Sequence, residues 1–235
     1  MQVIAPLAPP TEAEAYRDCL SMTDSNPARA ERLARQWVDQ RDGGVPARHC
    51  LGLAELALDK PGSARTTLET AGRMSEAARM PQTAALYRLA GEAALAAGEP
   101  AQALDLANRA VTAIRRGGRG GDGVTARRSA SEAYLFRGAL HGASGRRVAA
   151  RADLRAAVEA DPSHHAAWLL LAQALREDRD LSGAEAAIRQ AARLNPADAA
   201  TQREAAAIIL AIAAKERAED ERAAGNARTD APAID

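Results

Sequence analysis

Aromatic side chains are scarce in this chain of 235 residues: one phenylalanine, three tyrosines and two tryptophans. That excludes an interior built on rings and leaves alanine and leucine to do the packing. Lysine occurs only as Lys60 and Lys215, so arginine carries the positive charge, as a GC-rich coding sequence would produce. Neither sign of charge is in excess, with 31 basic and 31 acidic residues. Two cysteines, Cys19 and Cys50, exclude a disulfide framework and a zinc ribbon. Two readings of that pair stay open: small half-buried residues, or a disulfide clamping neighbouring segments, which needs an oxidising compartment. No apolar run reaches the ~20 residues that cross a bilayer; the longest is 205–214. Residues 1–10 lack the basic start and apolar run of a signal peptide. The expected compartment is therefore cytoplasmic, with a periplasmic one open if a leader precedes Met1.

Catalytic constellations are also missing. There is no H-E-x-x-H, G-x-S-x-G, S-x-x-K or P-loop. His164 and His165 are adjacent and point about 100° apart on a helix, so they cannot readily chelate one ion. His49 beside Cys50 meets the same objection. The expectation is a protein without enzymatic activity, metal or cofactor.

What is present is a pattern written twice at an offset of 34 residues. It pairs Tyr134 with Trp168, Gly138 with Ala172, Ala150 with Ala184, Leu154 with Ile188, Ala157 with Ala191 and Pro162 with Pro196. Counted from Ser131 and from His165, positions 4, 7, 8 and 11 share one helical face, and positions 20, 24 and 27 share another. Two helices that cross closely need a small residue at the crossing, here positions 8 and 20. The proline at position 32 disfavours helix in the residue before it and ends each unit. Earlier units start at Thr11, Val45 and Ala84. Position 20 is alanine in all five: Ala30, Ala64, Ala103, Ala150 and Ala184. Pro27, Pro61 and Pro100 occupy position 17, where proline suits the first turn of a second helix. The first unit fits least, with Asp18 at position 8; a turn one residue shorter puts Cys19 there. Arg48, Arg137 and His141 depart from the pattern at positions 4, 7 and 11.

Period, small residues and prolines together resemble the tetratricopeptide repeat. The resemblance spans about residues 11–198 and implies an all-α, right-handed superhelical solenoid of antiparallel hairpins. The expected layout is a disordered proline-rich arm (1–10), a degenerate hairpin (11–44), hairpins at 45–83, 84–116, 131–164 and 165–198, a capping helix (199–224) and a disordered tail (225–235). In the cap, Ile208, Ile209 and Ile212 are expected to cover the last unit. The resemblance further implies a concave groove lined by first helices, where positions 5, 9 and 12 hold a peptide or helix of a partner protein. Those positions give His49, Arg88, Leu135 and Leu169, then Leu53, Glu92 and Gln173, then Leu56, Leu95 and Arg176. The asparagine set of a carboxylate clamp is missing. A monomer is expected.

Residues 117–130 break the period with a glycine-rich, basic insertion, expected as a loop. Gly118, Gly120 and Gly123 satisfy G-x-G-x-x-G, but a charged helix precedes them where a dinucleotide fold needs a strand. Residues 115–155 hold ten arginines against three acids. An alternative function follows: a patch of Arg115, Arg116, Arg119, Arg127, Arg128, Arg146 and Arg147 that binds RNA or an acidic surface. A solvated face of an arginine-rich chain explains the same charges.

Overall fold

A computed structural model describes residues 11–41, 43–117 and 123–229, all in helices and short turns, with no strand among the described residues. The expected disordered arm at 1–10 and the end of the tail, 230–235, lie outside them. Eleven helices run in chain order among the described residues: α1 (Glu12–Ser25), α2 (Pro27–Arg41), α3 (Gly44–Ala57), α4 (Pro61–Ala77), α5 (Thr83–Ala96), α6 (Pro100–Arg116), α7 (Val124–Ala143), α8 (Arg147–Ala160), α9 (His165–Glu177), α10 (Leu181–Leu194) and α11 (Ala199–Thr229). The chain divides into two compact units, residues 1–140 and 141–235.

In the first unit each helix packs on the next along the chain, from α1 through α6. The start signals read from sequence hold. Pro27, Pro61 and Pro100 open α2, α4 and α6. Thr11 caps α1 in a capping box, receiving the Glu14 amide while Glu14 accepts from the Thr11 amide at 2.8 Å. The position-20 alanines Ala30, Ala64 and Ala103 have no exposed surface. A Cβ placed on Gly91 would come within 3.3 Å of the Ala103 carbonyl oxygen and 2.7 Å of the Phe136 ring. Position 8 thus meets position 20 at a backbone-to-backbone approach, as the small residues required. Leu68, Leu86, Tyr87 and Val111 fill the space beside these crossings, each large apolar side chain contributing about 1.5–3 kcal/mol.

In the second unit α8 packs on α9, α9 on α10, and α10 on α11, which also touches α9. Ala150, Leu154, Ala172, Leu175, Ala184 and Ile188 are buried. Asp180 caps α10 by accepting the Gly183 amide at 3.0 Å.

One turn recurs within four of the five hairpins and once more between α4 and α5, where Arg79 is left-handed (φ 53°) and the Met80 amide donates to Ser75 O at 2.9 Å. The residue at position 15 is left-handed in every hairpin but the first: Asp59 (φ 54°), Gly98 (78°), Gly145 (72°) and Arg179 (63°). The next amide reaches back five residues: Lys60 to Glu55 O, Glu99 to Ala94 O, Arg146 to His141 O and Asp180 to Leu175 O, each 2.9 Å. This six-to-one bond satisfies a carbonyl that a helix end would otherwise leave open. The first hairpin lacks it. Asn26 is extended (φ −152°) and its side chain accepts the Arg29 amide. That shorter turn moves the register by one, so Cys19 is buried and Asp18 exposed.

A set of ion pairs follows the same register. Position 21 pairs with position 16 of the following hairpin in Glu31–Lys60 (2.8 Å) and Arg65–Glu99 (2.8 Å). Arg151, also at position 21, pairs with Asp178.

Several expectations are corrected. Residues 124–130 are not loop but the first two turns of α7; glycines end at Gly123, and the arginines and alanines that follow are good helix formers. Residues 225–229 are helical, extending α11 past the expected cap. Ile208 is buried, whereas Ile209 is 65% exposed and does not cover the last unit. The departures are all partnered: Arg48 donates to Gly44 O, Arg137 to Asn108 Oδ1, and His141 lies 3.9 Å from Asp153. The two cysteines are a disulfide, Cys19–Cys50, with Cα atoms 6.2 Å apart, joining α1 to α3. The reading as two free half-buried thiols is thereby overturned.

Candidate partner-binding face

Within the first unit, helical spacing sorts the predicted groove residues into three stripes. His49, Leu53 and Leu56 share one side of α3. Arg88, Glu92 and Leu95 share one side of α5. Leu135 on α7 lies one turn after Glu132.

His49 is not available to a ligand. It shares a hydrogen bond with the Tyr16 hydroxyl of α1, and the rings lie 5.9 Å apart. Burial holds its pKa below the usual histidine value and raises that of Tyr16. Both groups stay neutral at pH 7, and the bond between the phenol oxygen and the imidazole Nδ1 occupies both.

Arg88 is also engaged. Its guanidinium pairs with Glu92 on the same helix and with Glu132 of α7 at 3.3 Å, and Glu132 pairs with Arg128 at 3.2 Å. Signs therefore alternate along Arg128, Glu132, Arg88 and Glu92, tying α5 to α7. A cation already flanked by two carboxylates is poorly disposed to take a third from a peptide terminus.

Four leucines remain on these stripes. Leu53, Leu56 and Leu135 are half-buried and Leu95 is 46% exposed. Leu56 packs partly against the core. Leucines that keep part of their surface in water suit apolar side chains of a ligand.

The second unit changes the remaining predictions. Leu169 is only 9% exposed, so it serves the packing of α9 and does not line a groove. Arg176 is bound to Glu204 of α11 through two guanidinium nitrogens, Nε at 2.6 Å and Nη2 at 3.3 Å. That partner raises the Arg176 pKa. Gln173 is half-buried. The sequence placed these residues at the correct helical positions and foresaw a capping helix at 199–224, but not that its Glu204 would take up Arg176.

The predicted basic patch is divided between the two units, and three of its seven arginines, Arg116, Arg127 and Arg128, are partnered. Arg116 pairs with Glu76 at 3.1 Å, Arg128 is held by Glu132, Arg146 and Arg147 lie in the second unit, and Arg119 lies outside the described residues. Arg115 is exposed, and Arg127 is exposed and partnered. Paired guanidinium groups release fewer counterions from a phosphate backbone, which weakens the nucleic-acid alternative.

Elsewhere, a cleft of about 380 Å³ between α4 and α6 is lined by Glu69, Ala101, Gln102, Asp105 and Leu106. It lies on second helices and is edged by two carboxylates. Among the described residues no cluster of His, Cys, Asp and Glu could hold a metal ion, and no helix is long and apolar enough to cross a membrane.

The family model that matches is described as tetratricopeptide repeat and covers residues 51–120 and 137–199. Solved structures resemble the chain at low identity. YrrB, described as a TPR protein with an unusual peptide-binding site, is 17% identical with a TM-score of 0.57, over 82% of this chain and 91% of that one. The thermophilic TPR protein TTC0263 of Thermus thermophilus is 20% identical with a TM-score of 0.58, over 85% of this chain and 100% of its own. The Pseudomonas aeruginosa pilF protein is 13% identical with a TM-score of 0.64, over 85% and 90%. A sequence search of curated proteins found no match. At these identities the structural likeness establishes the fold alone.

Proposed function

The chain belongs to the tetratricopeptide repeat family, and from that premise we propose a scaffold without catalytic activity that holds a segment of a partner protein on the first helices of residues 44–140. The observation that carries it is the surface left open on Leu53, Leu56, Leu95 and Leu135 at the groove positions of α3, α5 and α7, together with Arg88 already paired to Glu92 and Glu132. An amphipathic helix or extended peptide with apolar anchors is the matching ligand. YrrB, whose own description mentions a peptide-binding site, supports the class of ligand and not its identity.

The Cys19–Cys50 disulfide bears on the compartment. Such bonds persist in oxidising surroundings and are rare where thioredoxin and glutathione keep thiols reduced. The periplasmic alternative is therefore favoured over the cytoplasmic default.

The test replaces Leu95 and Leu135 together with aspartate. Both side chains retain exposed surface, so helicity measured by circular dichroism should persist. Proteins captured by the full chain from source lysate, identified by mass spectrometry, should vanish with the double variant. Undiminished capture by the folded variant rules out this face.

A further inference from the structure

Helix α11 occupies the place of a first helix. Counting 34 residues on from His165 puts Ala199 at position 1 of a sixth unit. Two hydrogen bonds bear this out. The position-4 residue Trp168 donates its Nε1–H to Pro162 O at 2.8 Å, and the next position-4 residue, Gln202, donates its Nε2–H to Pro196 O at 3.0 Å. Yet no second helix follows α11 among the described residues. In the preceding hairpin Ala172 (position 8) and Leu175 (position 11) are covered. The equivalents on α11 are Ala206, exposed, and Ile209, 65% exposed, with Leu210 67% exposed beside them.

We propose that this face pairs with the same face of a second copy of the chain, α11 antiparallel to α11 about a two-fold axis between Ile209 and Leu210. The sequence around that axis is self-complementary. Ile209 meets Leu210 of the second copy and small Ala206 meets Ala213, which lets the helices approach. Farther out, Arg203 falls opposite Glu216. Both are exposed and one heptad from the central pair, so they lie on the same face. A two-fold pair makes each contact twice, so it closes and leaves no free end. Such an antiparallel helix stands where α4 covers α3, α6 covers α5 and α10 covers α9. The expected monomer gives way to a dimer.

Sedimentation of the full chain across a micromolar concentration series reads the result. The wild type should move as a dimer, and Leu210→Glu as a monomer with unchanged helicity, since that side chain is mostly exposed in the single chain. Arg203→Glu or Glu216→Arg alone should weaken the dimer about tenfold, and the two together should restore it. A wild type that stays monomeric throughout overturns the proposal. So does a dimer indifferent to Leu210→Glu, a charge reversal that fails to restore pairing, or a monomer that takes a helix of another protein on this face.

Discussion

Reduction of the Cys19–Cys50 bond should release the first hairpin and leave the rest of the first unit folded. The bond closes a loop with a sequence separation of 31. Constraining a loop of that size removes chain entropy from the unfolded state equivalent to about 3–4 kcal/mol. The hairpin has few other resources. Its buried cluster is Cys19, Ala34, Cys50 and Leu51, with Leu20 and Val38 partly covered. Its pairs with the next hairpin, Arg35–Glu55 and Glu31–Lys60, use cations that are 53% and 46% exposed, which limits each to about 0–1 kcal/mol. The crosslink therefore outweighs any single contact it accompanies. In a linear array an end unit can open without its neighbours, so the population open at residues 12–41 should rise by about two to three powers of ten. Hydrogen exchange followed by mass spectrometry, with and without reductant, reads this directly. Protection should fall across α1 and α2 and persist across α5 and α6. A Cys19→Ala, Cys50→Ala variant should behave like the reduced protein. Equal protection of α1 and α2 in the oxidised and reduced forms would refute the reasoning.

Two further outcomes follow from the turns and the core. Arg179 is left-handed and exposed, so Arg179→Gly should stabilise the second unit by about 1 kcal/mol, seen as a higher urea midpoint; a lower midpoint would show that the arginine side chain contributes more than its backbone strain. Burial, then the hydrogen bond to Glu76, pushes the Tyr87 pKa up to about 12. A raised folded value means that its stabilisation is complete below the unfolded value near 10 and is lost as pH climbs toward 12. The urea midpoint of the first unit should fall across that window, and Tyr87→Phe should flatten the fall.

The hairpins were legible because small residues recur where backbones cross. Ala64, Ala103 and Ala184 have no exposed surface, and second helices open on the prolines that announced them. For the first hairpin the sequence left two registers open, Asp18 or Cys19 at position 8, and the turn at Asn26, which lacks the left-handed residue, selects Cys19. Ion pairs at positions 21 and 16 were missed for another reason. The acid sits first in Glu31–Lys60 and second in Arg65–Glu99, so no residue type repeats even though the geometry does. The predicted face was only half readable. Register placed His49 and Arg176 on the correct side of their helices, but their capture by Tyr16 and Glu204 depends on elements distant in sequence.

Each left-handed turn has a consequence for how such a chain can grow. Because the amide after it reaches back to a carbonyl near the end of the first helix, that carbonyl is satisfied inside the hairpin and asks nothing of a neighbouring one. A hairpin therefore carries its own joint with it, so that copying or removing one whole keeps each such bond intact, while a cut at the joint itself would leave the carbonyl it serves without its donor.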